Sequence, residues 1–183
     1  YSISDQVYNF QSLCFGLPKN SDYGNHIAYF YESKTHNDPF VHQDSLLRDT
    51  HNYIYVHKKA WQRGGAGITF GDGSILGSIL MRGIKHKNSF FAGSATVKKY
   101  LASLINSDIT QHKELQDYFH KHKREISLVS SSKKDFKIFS SPRIGLNTSK
   151  SKEYIDAKYR FVDKTILMHQ EMKILKATLI LKI

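Results

Sequence analysis

A chain of 183 residues, 40% of them hydrophobic, suits one domain around one core and is too apolar for a disordered polymer. Lys and Arg number 27 against 16 Asp and Glu, a formal charge of +11, which points to a polyanionic partner: nucleic acid first, an anionic membrane surface second. The lone cysteine, Cys14, excludes an intramolecular disulfide and a Cys-based zinc site and fits a reducing, intracellular compartment, while the longest apolar runs are far shorter than a membrane span.

The opening Tyr1-Ser2-Ile3-Ser4-Asp5 has neither the basic flank nor the apolar stretch of a signal peptide, and without an initiator Met it reads as a trimmed terminus. Val7, Phe10 and Cys14 recur at helical spacing, so 6–14 is expected to be a helix capped by Asp5. Residues 27–31 are aromatic-rich and bounded by polar turns, which predicts a strand ending at Glu32. Asn37-Asp38-Pro39 marks a loop. Residues 53–56 form a second strand. Gly71-Asp72-Gly73 introduces a third, 75–81, apolar enough to be covered on both faces.

Val97, Leu101, Leu104 and Ile105 share a stripe, which predicts a helix over 95–105. A polar, basic helix follows over 110–124, anchored by Leu115, Tyr118 and Phe119. Residues 127–134 look like a mobile surface loop, and 136–139 and 159–162 like short strands around the turn at Gly145-Leu146-Asn147. The tail, 166–183, reads equally as helix or strand. Strands interspersed with helices, without regular βαβ alternation and without a Rossmann or P-loop fingerprint, argue an α+β fold or a mixed α/β sheet.

Several residues carry possible chemistry. Glu32, at a strand end, is placed as an acid or base, or as a surface charge. Tyr53 and Tyr55 are two apart and share a strand face, where they form a core-facing pair or a platform for a base. Arg82 closes the apolar run 75–81, where its guanidinium meets a carboxylate or phosphate, or simply surfaces. Ten histidines are present, but His120 and His122 do not share a helix face and no His-Glu-x-x-His occurs, so no metal site is expected. The stretch from His120 to Arg124 reads as a solvated or phosphate-facing surface, with Lys121, Lys123 and Arg124 as its strongest cations.

Taken in order, a strand ending in Glu, then Asp38-Pro39-Phe40-Val41-His42, Tyr53-Ile54-Tyr55, Gly71-Asp72-Gly73 with an apolar run ending in Arg82, Arg143-Ile144-Gly145 and Arg160-Phe161-Val162 form a series. That series resembles the methylpurine-DNA glycosylase family, also called alkyladenine or 3-methyladenine DNA glycosylases, over about residues 27–163. Members carry Glu-Thr-Glu-Ala-Tyr, Asp-x-Ala-x-His, Tyr-Val-Tyr, an apolar run with Arg, Arg-Val-Gly and Arg-Phe-Tyr-Val. The family's double Glu is reduced here to Glu32. Its stacking Tyr, wedging Tyr and guanine-rejecting Asn fall at Lys34, Lys58 and about Gly65.

The resemblance implies a single compact α+β domain with a curved, mostly antiparallel sheet flanked by helices. It implies a monomeric, cofactor-free repair enzyme that flips an alkylated purine out of duplex DNA and hydrolyses its N-glycosidic bond. Glu32 would activate the water, with Arg82 holding it. His42 and Tyr55, with Tyr53 beside them, would sandwich the base. Lys58 or His57 would wedge into the vacated stack. Lys121, Lys123, Arg124 and Arg143 would neutralise phosphates. The alternative is a basic nucleic-acid-binding domain without catalysis, a degenerate relative of that family.

Overall fold

The computed structural model describes residues 13–15, 21–22, 26–32, 34–57, 64–86, 89–105, 110–121, 128–130 and 138–163. Its centre is a six-stranded antiparallel sheet built from β3 (His26–Tyr31), β4 (His51–Val56), β5 (Ala66–Phe70), β6 (Leu76–Met81), β10 (Ile138–Ser141) and β11 (Arg160–Asp163). The order is β10-β11-β3-β6-β5-β4. A three-stranded sheet joins β2 (Ser21–Asp22), β7 (Gly83–His86) and β8 (Ser89–Ala92), and a two-stranded one joins β1 (Leu13–Phe15) to β9 (Leu128–Ser130). Among the described residues four helices accompany them: α1 (Ser45–Asp49), α2 (Ser94–Ile105), α3 (His112–Lys121) and α4 (Lys152–Asp156). The fold is α+β, as expected.

β6 explains the sheet. It lies between β3 and β5, and all six of its residues are buried, so its near-continuous apolar run is what a strand covered on both faces requires. Period-two alternation sorts the neighbours. One face carries Ile54, Val56, Ala66, Ile68 and Met81, which pack with Val97 and Leu101 of α2 and Leu115 and Phe119 of α3. The other carries Tyr55 and Leu76, packed with Val41 and with Leu47 of α1. The first face is sealed by two helices whose buried residues recur every four positions; the second is covered by α1 and by Val41.

Local chemistry sets the turns on this second face. Asp44 caps α1 by accepting from Leu46 N at 3.1 Å. The Asp72 carboxylate gathers Ser74 N at 2.9 Å, Ser74 Oγ at 2.7 Å and Ile75 N at 3.0 Å, which closes the β5–β6 turn and holds its own pKa below the usual carboxylate range. Gly71 is required there because a Cβ would drive into the carbonyl oxygens of Leu47 and Arg48. α1 therefore sits directly on the turn.

At its end of the sheet, β4 is also hydrogen-bonded to α3 by one side chain. Gln116 Oε1 accepts from Val56 N at 2.6 Å, and Gln116 Nε2 donates to Ile54 O at 3.0 Å.

Differences from the expected elements have local causes. Leu13 and Cys14 belong to β1, not to a helix, and Leu128 to Ser130 form β9 rather than a loop, because the two segments pair antiparallel from far apart in the chain, Leu13 opposite Ser130 and Phe15 opposite Leu128. Neighbour-range periodicity does not register such a pairing. Residues 1–12, 122–127 and the tail after 163 lie outside the described residues, and with them the rest of the first expected helix. The expected helices 95–105 and 110–124 appear as α2 and α3, and the strand 27–31 as β3.

Candidate functional site

A cavity of about 450 Å³ opens on the second face of the sheet, within the range of small-molecule sites. Ser78 and Leu80 of β6 and Leu47 of α1, all buried, form its inner wall. One side is Phe40, Val41 and His42, from the loop after β3; the other is Gly145, Leu146, Asn147 and Lys150. His57, at the end of β4, and Gly64 and Gly65, before β5, complete it beside Ser94 at the start of α2. Gly65 has no room to be anything else: a Cβ would stand 2.7 Å from Ser94 Cβ and 2.8 Å from Leu80 Cδ1. This position cannot carry a base-rejecting amide.

Behind His57 runs a ladder of rings. His42 meets the His57 ring edge-on at 5.1 Å, and His57 meets Tyr55 edge-on at 5.0 Å. Tyr55 is 2% exposed, and its hydroxyl donates to Asp44 Oδ2 at 3.2 Å. Burial first, then the Asp44 carboxylate, pushes the phenol pKa well above its ordinary value, so Tyr55 remains a neutral donor. The expected sandwich of a base between His42 and Tyr55 is thereby corrected: the His57 ring already touches both. His57 is 8% exposed and donates its backbone N–H to Gly65 O at 3.0 Å, so it lines the cavity instead of wedging into a base stack. Tyr53 is half-buried and donates its N–H to Thr69 Oγ1 at 3.1 Å, away from the cavity lining.

The two walls are tied together by a buried ion pair. Arg143 Nη1 donates to Asp38 Oδ2 at 2.7 Å and Nη2 to Asp38 Oδ1 at 3.1 Å, with both side chains fully enclosed. Nη2 also donates to Tyr154 O at 3.0 Å, Phe40 N donates to Asp38 Oδ1 at 3.0 Å, and the guanidinium lies 5.3 Å from the Phe40 and Tyr159 ring centres. Arg143 is therefore not a phosphate contact. Its planar fork matches a carboxylate better than any lysine could, and here it fixes the cavity's shape. At the mouth, the exposed Lys150 Nζ reaches Pro39 O at 3.3 Å, bridging the same two walls.

The expected catalytic pair does not assemble. In the β3–β6 register Tyr31 faces Leu76 and His26 faces Met81. Glu32 thus follows one end of this pair of strands and Arg82 the other, roughly 20 Å apart at the rise of an antiparallel strand. Neither lines the cavity. Glu32 instead closes its own tight turn: its backbone pairs with His36, at 2.9 and 2.8 Å, and its carboxylate accepts from Thr35 Oγ1. Lys34, in the same turn, is exposed. Lys121 is exposed at the end of α3. Lys58, Lys123 and Arg124 lie outside the described residues. Among the described residues, no group of three His, Cys, Asp or Glu is placed to hold a metal ion, and no helix is long and apolar enough to cross a membrane.

His36 belongs to the same clamp. Its ring stands edge-on to Tyr154 at 5.0 Å and tilted against Tyr159 at 5.5 Å. Burial lowers its pKa, Asp38 opposes this, Arg143 reinforces it, and Glu153 and Glu32 oppose it more weakly. The folded protein therefore holds His36 neutral where the unfolded chain, at about 6.5, already binds a proton. Stability from this group is complete above the unfolded value and is lost as pH falls from there through the folded value. The denaturation midpoint should fall between pH 7.5 and 5.5 and fall less in His36→Phe. Parallel profiles for the two proteins would remove His36 from the acid sensitivity.

Ser78, Asn147 and Lys150 are site residues that sequence reasoning missed. Ser78 had a signal, as the one polar side chain in the run 76–81. No family model, curated protein or solved structure matches the chain.

Proposed function

We propose that this chain is a DNA-binding domain that receives a single unstacked base in the cavity beside His42 and His57, without excising it. The observation that carries this reading is the cavity: it is of ligand size, backed by an ordered ladder of rings and flanked at its mouth by an exposed lysine. It belongs to a protein of net charge +11. Between the cavity residues His57 and Gly64 the sequence runs Lys58-Lys59-Ala60-Trp61-Gln62-Arg63, three cations and an indole, the composition that binds phosphates and bases together.

Binding is favoured over hydrolysis because no carboxylate is among the described residues that line the cavity. Water attack on a glycosidic bond wants a base within hydrogen-bond reach of the reacting water.

The test compares a duplex bearing a central unpaired or alkylated purine with its fully paired counterpart. The wild type should bind the former about 10-fold tighter, the value of one stacked base. His42→Ala, at an exposed position of the cavity wall, should lose most of that preference and keep its affinity for paired DNA. Equal affinity of the wild type for both duplexes would remove the base-receiving role. Release of free base would replace binding by excision.

A further inference from the structure

Ser78 is fully buried, lines the cavity, and its Oγ has no hydrogen-bond partner. Its surroundings make this a choice. Leu80, two residues along the strand, and Leu47 line the same wall, and an alanine methyl would sit among them at no cost in polar burial. Across the sheet Ser78 is paired with Thr69, but the Thr69 hydroxyl is already engaged by Thr50 Oγ1 at 2.9 Å and Tyr53 N at 3.1 Å. A buried hydroxyl without a partner is a net loss to the folded chain, and in a native protein it calls for an explanation.

We infer that the missing partner is the polar edge of the cavity's occupant, and that Ser78 is the residue that selects for such an edge. This rests on the base-receiving reading and sharpens it. A hydroxyl donates and accepts, so Ser78 can meet a carbonyl oxygen, a ring nitrogen or an exocyclic amine. It cannot choose one base over another by donor pattern alone. What it disfavours is a ring of the same shape with no polar edge, because that ring brings the buried hydroxyl no partner and leaves it as unsatisfied as before. Gly65, where no side chain fits, adds no second reader. The cavity is therefore selective for nucleobases as a class and permissive among them.

Three duplexes separate the possibilities: one with an unpaired natural purine, one with a nonpolar isostere of that purine, and one with an abasic site at the same place. The wild type should prefer the natural purine over the isostere by about 5- to 10-fold, one hydrogen bond's worth. Ser78→Ala should bind the two equally. It should also melt higher than the wild type, by about 2–4 °C, because an orphaned hydroxyl has been removed. A wild type that holds purine and isostere equally, but both better than the abasic duplex, would overturn the role of Ser78 and leave the cavity's role intact. So would a Ser78→Ala protein that keeps the preference or melts lower. Equal binding of all three duplexes would overturn the base-receiving reading itself, and this inference with it.

Discussion

Arg143→Met should lose about 3–5 kcal/mol of folding stability, the cost of leaving one half of a buried ion pair behind. Asp38 keeps Phe40 N as a donor but loses both guanidinium bonds, at 2.7 and 3.1 Å, in a place water does not reach. The Tyr154 carbonyl loses a donor as well. Against a typical total of about 5–15 kcal/mol, that is a large share. The loss comes from the stranded charge more than from the pair's own worth, so adding Asp38→Asn should recover much of it while leaving an acceptor for Phe40 N. Urea denaturation of the two single variants and the double variant reads this directly. An Arg143→Met protein within about 1 kcal/mol of the wild type would show that the pair is screened like a surface contact.

Raising salt from 50 to 200 mM should weaken DNA binding by about 10²–10³-fold, with a log–log slope of about −4 to −5, whatever the sequence of the duplex. The net charge of +11 motivates it, and so do the exposed side chains of Lys113, Lys121 and Lys150. Lys150→Ala should reduce the slope by about one, as loss of a single phosphate contact does. Variants at Arg143 should leave the slope unchanged once their lower stability is allowed for, since that guanidinium faces Asp38. A flat salt profile would exclude phosphate-dominated binding and return the charge to mere solubility.

Much of the fold was legible because its cues are local. The run 75–81 announced a doubly covered strand, and the stripe from Val97 to Leu101 announced a helix on its face. The pairing of β1 with β9 was not legible, since its register depends on residues far apart in the chain. The candidate site divides in the same way. His42 and His57 do line one cavity. The role of Arg143 was misread because a cation in a basic chain suggests a phosphate, whereas its partner, Asp38, lies 105 residues away. Glu32 and Arg82 fell together in motif order, yet antiparallel pairing carries the ends of β3 and β6 apart. Order along a chain fixes neighbours only when the register is also known.

The Gln116 amide at the end of the main sheet has a consequence for how this protein keeps to itself. A terminal strand offers unsatisfied N–H and C=O groups as a template on which another chain can grow. By accepting from Val56 N and donating to Ile54 O, one side chain imitates the peptide group of a following strand and occupies its place. Aggregation by strand addition is thus blocked at these two groups of β4 by a helix residue 60 positions downstream of Val56, which arrives only when α3 docks. The sheet's margin is guarded as a by-product of tertiary packing.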